Sequence, residues 1–294
     1  MTQRRRDDDC GARPGRLGGF LRSLLSGIPW SELSERVDTF HLKAPSGGLL
    51  RVRNANGRIE LIGEDRKDVV VVAAKRARAE SEEEAERLLD AIRVAQAESG
   101  EALELEVEVP RKWNRHGHVN LELRVPRRLR TQCESVNGKV AVSGMRAPVG
   151  ARSSNGAVSV DDVVGDVEVY TANNKVSCTC TCGALVARSS NGKIEVGEHR
   201  GSLDASTSNG LIRASIEALG PGGVRLATSN GRIVLNLPDE VDADVDVRVD
   251  NGIIRNERDL ANATRASDGR VRGTLGRGGV PIKLRTSNGS ISLR

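Results

Sequence analysis

"ARSSNGAVSV" at residues 151–160 returns as "ARSSNGKIEV" at residues 187–196, and the reading of that phrase decides the fold. With its Asn as a marker, the chain carries Asn56-Gly57, Asn137-Gly138, Asn155-Gly156, Asn173-Asn174, Asn191-Gly192, Asn209-Gly210, Asn230-Gly231, Asn251-Gly252, Asp268-Gly269 and Asn288-Gly289. The step is 18 residues four times from Asn137 to Asn209, then 21 twice, then 17 and 20. A period held this closely is the mark of a stacked repeat.

Around each marker the residues alternate with the period of two that a half-buried strand requires. Three places after it stand Ile59, Val140, Val158, Val176, Ile194, Ile212, Ile233, Ile254, Val271 and Ile291, all β-branched. Four places before it stand Val52, Cys133, Ala151, Val169, Ala187, Ala205, Leu226, Val247, Thr264 and Leu284. Asn-Gly also suits a type I′ hairpin turn, and ten hairpins would build a sandwich or a propeller. Hairpins have no reason to keep equivalent positions in step, whereas a solenoid must, because each coil lies on the last. The expected fold is all-β: a parallel β-solenoid of about ten coils of 17–21 residues bent at Asn-Gly. Glycine would relieve the corner, and stacked asparagines would hydrogen-bond along the axis.

Composition agrees, since 32 glycines and only five aromatic residues fit turns and β-branched strands better than helices. Three parts are expected: a flexible arm at 1–38, a β-rich part at 39–130 holding the first Asn-Gly coil, and the regular solenoid at 131–294. Within the second part, "SEEEAERLLDAI" at 81–92 predicts one helix, with Ser81 and Glu84 as a capping box and Leu88, Leu89 and Ile92 on one face. "DVVVVAAKRA", "IRVAQAE", "ALELEVEVP" and "HVNLELRVP" predict strands around it. In the arm, "GFLRSLLSGIPWSEL" at 19–33 predicts a short amphipathic helix that docks on the body or meets a membrane. At the other end the chain stops at Arg294 just after "NGSISL". A last coil there would leave Ile291 and Leu293 bare, an end through which copies of the chain would self-assemble.

The N-terminus does not read as a secretory signal, because Asp7, Asp8 and Asp9 follow the basic cluster and Arg22 interrupts the apolar stretch. Five cysteines, three of them in "CTCTC" at 178–182, suit free thiols, so a cytoplasmic location is expected. Cys178, Cys180 and Cys182 would lie on one side of a strand, with Cys178 as a small core residue. His116 and His118 lack a third ligand, so no metal and no cofactor are expected. The motifs of serine hydrolases, zinc proteases, P-loops and dinucleotide sites are absent, and turn chemistry accounts for Asp161 and Asp162. No enzyme is expected, a carbohydrate-active β-helix enzyme being the alternative that converging carboxylates in a cleft would support.

One surface feature stands out. Two places after the marker come Arg58, Lys139, Lys175, Lys193, Arg232 and Arg270; three places before it come Arg53, Arg152, Arg188, Arg248, Arg265 and Arg285. Both columns point outward, forming two basic stripes diluted only slightly by Glu60 and Glu195. With a net charge of +5, they suit an anionic polymer or a membrane surface as partner. The scarcity of aromatics argues against specific nucleic-acid binding. The expected function is a non-enzymatic binding or scaffold module, with self-assembly through the C-terminal coil as the alternative.

Through "SVNGKVAV", "SSNGAVSV", "SSNGKIEV", "TSNGRIVL" and the opening "LLRVRNANGRIELIGED", the chain resembles a large bacterial family of β-strand-repeat proteins of unknown function, often labelled putative adhesins. The likeness spans about residues 40–294. It implies a solenoid, an adhesin-like or cell-envelope role, and no agreed biochemical activity.

Overall fold

Alternation on either side of a marker produces two short strands that meet at the corner. The computed structural model describes residues 32–99, 102–110, 117–266 and 269–294. Before the corners lie β8 (Arg130–Ser135), β10 (Val149–Ser153) and β12 (Val167–Thr171); after them lie β9 (Val140–Ser143) and β11 (Val158–Val164). Farther on, β13 (Val176–Ser189), β14 (Ile194–Asn209) and β15 (Ile212–Asn236) run from one corner through a second bend toward the next. Layers pair in parallel: Val149, Val167, Leu185 and Leu203 stand in register before the corner, and Val140, Val158, Val176 and Ile194 after it. The result is a solenoid-like all-β stack. Ile59, Val140, Val176, Ile194, Ile212, Ile233 and Ile291 are fully buried in one continuous core, each contributing roughly 1.5–3 kcal/mol.

The corners carry two ladders. Asn155 Nδ2 donates to Asn137 Oδ1 (2.8 Å), Asn173 to Asn155 (2.9 Å) and Asn209 to Asn191 (2.9 Å). Behind them, a buried hydroxyl two places before the marker donates to the corner carbonyl of the neighbouring layer. Ser153 reaches Gly138 O (2.9 Å), Thr171 reaches Gly156 O (2.8 Å) and Thr207 reaches Gly192 O (3.0 Å). A buried carbonyl left unpaired would cost about 1–3 kcal/mol, which explains the small hydroxylic residue there. Glycine is needed for approach rather than for a hairpin: a methyl group at Gly156 would stand 1.9 Å from Gly138 O, although Gly156 has no left-handed backbone.

A second bend repeats with the same period. Asp162, Cys180 and Glu198 have φ of +49°, +50° and +51°. This left-handed residue resets the alternation, so Cys178 points inward, Cys180 and Cys182 outward, and Thr181 inward. The three cysteines therefore do not share a side, contrary to the simple strand expectation.

At both ends the order of stacking departs from the order of the chain. β2 (Leu49–Asn54) and β3 (Ile59–Glu64), the first Asn-Gly layer, are followed in sequence by β4 (Asp68–Ala79), helix α1 (Glu82–Ala91), β5 (Arg93–Ser99), β6 (Ala102–Glu108) and β7 (Gly117–Pro126). Yet Val52 lies between Leu105 and Cys133, and Leu61 between Leu123 and Val142, so β6 and β7 form the layer outside β2 and β3. β4 and β5 then add antiparallel to β7 and β6, and β1 (Glu32–Lys43) pairs antiparallel with β4. Ser81 Oγ accepts from Glu84 N (3.2 Å) at the start of α1, which buries Leu88 and Leu89. Lys75, itself buried, donates to Ile92 O (2.8 Å) just after the helix and pairs with Asp38 (2.6 Å). β1 begins inside the stretch expected as an arm, so Glu32 and Leu33 are strand; the rest of the amphipathic helix expected at 19–33 lies outside the described residues.

At the other end, β16 (Ala243–Asn256) leads into a hairpin of β17 (Ala261–Ala266) and β18 (Arg270–Leu275), and β18 pairs antiparallel with β16. The last strand, β19 (Val280–Leu293), inserts in parallel between β15 and β16, with Ile291 between Ile233 and Ile254. Ile291 and Leu293 are 0% and 1% exposed, so the bare C-terminal coil expected from the sequence does not form. Asn288 joins the ladder between Asn230 (2.9 Å) and Asn251 (3.1 Å). Gly269 belongs to the β17–β18 hairpin rather than to a layer, its partner Asp268 lies outside the described residues, and Thr264 is exposed. Insertion gives β19 hydrogen-bonding neighbours on both edges, which a terminal position would deny it.

Candidate ligand-binding face

Strands before the corner turn every second side chain to solvent, and parallel register lines these up in rows across the layers. The row three places before the marker reads Glu106, Arg53, Glu134, Arg152, Tyr170, Arg188, Ser206, Ala227, Arg285, Arg248 and Arg270 in order of stacking. The expected stripe is therefore interrupted. Arg53 pairs with Glu134 (3.5 Å) and Arg152 with Glu168 (2.7 Å), while Arg188 has no carboxylate partner among the described residues. Arg265, on β17, lies outside the row, opposite Val271.

The stripe after the corner is largely neutralised. Arg58 pairs with Glu60, and both Lys175 and Lys193 pair with Glu195, whose carboxyl is held below its usual range by hydrogen bonds from these two lysines. Arg232 donates to Ser290 Oγ (3.1 Å), and Lys139 has no carboxylate partner among the described residues. Glu60 and Glu195 do more than dilute this column, because each sits within reach of the cations beside it.

Positive charge instead collects where β15, β19, β16 and β18 lie side by side. The row two places farther from the corner supplies Arg225, Lys283, Asp246 and Arg272 on these same four strands. Arg225, Lys283, Arg285, Arg248, Arg270 and Arg272 thus surround two carboxylates, Asp246 and Asp250. Asp246 accepts from Arg270 Nε (2.8 Å), and that guanidinium, with Arg272 and Lys283, holds its carboxyl below the usual range. Asp250 accepts from Arg248 Nε (3.0 Å) and lies 3.8 Å from Arg285. Arg225 and Lys283 are exposed and form no close ion pair among the described residues, although Lys283 acts on Asp246 through its charge and Asp204 of β14 stands opposite Arg225. A groove of about 370 Å³ runs through the cluster, opened by the small side chain of Ala227.

A second groove, of about 440 Å³, lies toward the other end of the same face. Arg53, Glu106, Glu134 and Arg152 line it in balanced charge, together with Tyr170 and Val136, which are 39% and 48% exposed. Sequence reasoning singled out the three-before row but not the row that holds Arg225 and Lys283. Their signal was available as two cations five places before Asn230 and Asn288.

Other candidates have structural explanations. Burial pushes the Cys133 and Cys178 thiols up to about 12, and a hydrogen bond to Glu198 (3.0 Å) pushes Cys180 up to about 11, so none is a ready thiolate. His118 bonds Asn120 (3.1 Å), while His116 lies outside the described residues. Among the described residues no three His, Cys, Asp or Glu side chains group as a metal site. Asp162 is held by Arg146 (2.9 Å).

His199 is 0% exposed, in the column of Val163 and Thr181. Its Nε2 donates to Ser202 O (3.2 Å) and its Nδ1 shares a hydrogen bond with Thr181 Oγ1 (2.9 Å); burial lowers its pKa from 6.5, which favours the neutral ring. The unfolded chain then takes up the proton first. Stability is full above about pH 6.5 and declines as pH falls toward the lower folded value. Thermal melts between pH 7.5 and 5.5 are expected to show this decline in the wild type and a flatter profile in the His199→Leu/Thr181→Val double variant; parallel profiles would contradict it.

Together the layers and their outward face define a class: a β-repeat protein that presents an extended, preformed surface. The chain belongs to the Toastrack DUF4097 family, whose model matches residues 51–294. Among solved structures it is similar to a "putative adhesin" from Bacteroides fragilis NCTC 9343, at 11% identity over 89% of this chain and 98% of that one, with a TM-score of 0.52. It is also similar to a "putative lipid binding protein" from Parabacteroides distasonis ATCC 8503, at 14% identity over 88% and 97%, with a TM-score of 0.44. A "putative cell adhesion protein" from Clostridium sporogenes ATCC 15579 matches at 9% identity over 89% and 99%, with a TM-score of 0.28. No curated protein matches. At 11% identity the likeness to the Bacteroides fragilis protein is one of fold.

Proposed function

We propose that this protein is a non-enzymatic binding module, built as a parallel β-solenoid, whose contact surface for an anionic polymer is the groove across β15, β19, β16 and β18. The observation that carries this reading is the excess of cations there: six Lys and Arg side chains against Asp244, Asp246 and Asp250 on these strands, with Asp204 of β14 beside Arg225. Elsewhere on the face cations and carboxylates alternate, so the attraction for a polyanion is concentrated at one end. The side chains stand on rigid neighbouring strands about 4.8 Å apart, a spacing that suits repeated charges. An adhesin-like, envelope-associated role accords with such a surface, and the similar Bacteroides fragilis protein is called a "putative adhesin".

The experiment is retention on heparin-agarose over a salt series. Arg225→Glu/Lys283→Glu is expected to elute at markedly lower salt and to reduce the slope of log K against log salt by about 2, one for each cation lost. Lys139→Glu, an unpaired cation on the other row, should change little. An effect of Lys139→Glu as large, per charge reversed, as that of the double variant would show that net charge alone governs binding and would remove the groove from consideration.

A further inference from the structure

We infer that the polymer is an acidic polysaccharide, with an uncharged sugar ring seated on Tyr170 and its anionic groups held in the cationic groove. The inference rests on the anionic-ligand reading above and names its chemistry. The first observation is the balanced groove of about 440 Å³ at Tyr170. Among the described residues the aromatic side chains are Phe40 and Tyr170; Phe40 packs against the core, and Tyr170 alone faces solvent.

An exposed aromatic ring beside fixed charges of both signs matches the two-sided character of a sugar. The C–H face of a pyranose packs on the ring, while its hydroxyls donate to carboxylates and accept from guanidinium groups. Glu134 and Glu106 supply acceptors, and Arg53 and Arg152 supply donors. These groups are held in place beforehand: Arg53 against Glu134 (3.5 Å) and Arg152 against Glu168 (2.7 Å). Preorganisation reduces the ordering cost of binding. Val136 adds an apolar contact at the rim.

The second observation is register. Tyr170, Arg188, Ser206 and Ala227 follow one another across adjacent strands, so the sugar groove and the cationic groove lie on one line. At about 4.8 Å per strand the separation is roughly 14 Å, within reach of a short oligosaccharide, with the unpaired Arg188 on the path. A nucleic acid fits less well. It brings a phosphate at every unit toward Glu106, Glu134 and Glu168, and it needs one stacking platform per base where the described residues of the face offer a single ring. An anionic lipid headgroup would fill the cationic groove and leave the Tyr170 groove unused.

The test is calorimetric titration of the full chain with hyaluronan oligosaccharides, in which an uncharged N-acetyl sugar alternates with a uronate, with inorganic polyphosphate of matched charge and with phosphatidylglycerol vesicles. Tyr170→Ala is expected to weaken hyaluronan binding roughly five- to tenfold and to leave polyphosphate binding unchanged. Lys283→Glu is expected to weaken both. Hyaluronan binding indifferent to Tyr170→Ala, or preference for polyphosphate or vesicles, overturns the polysaccharide while leaving the anionic groove standing. Wild-type protein that binds none of the three overturns both.

Discussion

Ile291→Asp is expected to abolish the fold of the C-terminal layers. Ile291 is fully buried, in register with Ile233 on one side and Ile254 on the other. Removing such a side chain costs about 2–5 kcal/mol, and a carboxylate left without a partner in the same place adds several more. The sum is comparable with the whole stability of an ordinary domain, about 5–15 kcal/mol. Urea melts should show the midpoint falling at every protein concentration. Were β19 an exposed terminal coil that joins copies together, the same change would dissociate oligomers and leave the melt of the monomer intact. A wild-type melt for Ile291→Asp would show that β19 is not an interior strand.

Gly138→Ala comes next in size, with an expected loss of about 3 kcal/mol, at the upper end for overpacking. A methyl group there would stand 1.7 Å from the Gly57 carbonyl oxygen and 2.4 Å from its carbon, with Ser135 Oγ at 2.9 Å. The obstructing atoms are backbone of the adjoining layer, so the clash can be relieved only by parting the layers, which stretches the Asn137–Asn56 hydrogen bond of 2.8 Å. Gly150→Ala is the control. Gly150 lies within β10, where the nearest atom to an added methyl is Gln132 Cγ at 3.6 Å. That change should be neutral or stabilise by roughly 0.4–1 kcal/mol, because it restricts the unfolded chain. Asn174 occupies the equivalent corner place one layer beyond Gly156, with its Oδ1 accepting from Lys175 N (2.8 Å) and its Nδ2 donating to Asn155 O (3.3 Å). A side chain is thus accommodated where it supplies hydrogen bonds of its own, which alanine does not. Equal melts for Gly138→Ala and Gly150→Ala would refute the close-approach explanation of the corner glycine.

Both effects act on the binding face. Parting the layers would disturb the rows that place Arg53, Arg152 and Tyr170 side by side. Losing β19 would remove Lys283 and Arg285 from the cationic groove altogether.

Part of that groove was legible in the chain alone. Arg248, Arg270 and Arg285 belong to the marker columns, although Arg270 reaches the groove from an antiparallel hairpin strand rather than from a stacked layer. Arg265, in the same column as Arg248 and Arg285, is carried away on β17. Neutralisation of Lys175 and Lys193 by the single Glu195 was not legible, because it depends on two layers approaching the same carboxylate. A turn at Asp162 was legible, but its left-handed recurrence at Cys180 and Glu198 was not, because three different residue types fill the bend.

What the sequence determined by itself is local and periodic: the strands, the Asn-Gly corners, the buried β-branched columns and the parallel 18-residue register of the central layers. Such a period says which positions are equivalent. It does not say which equivalents are neighbours, and only the tertiary structure decided that β2 and β3 lie inside β6 and β7 and that β19 slips between β15 and β16. The physical reason is that strand edges are satisfied by whatever backbone reaches them, at any distance along the chain. Lys283 and Arg285 stand beside Arg225 and Arg248 because the last strand took an interior place.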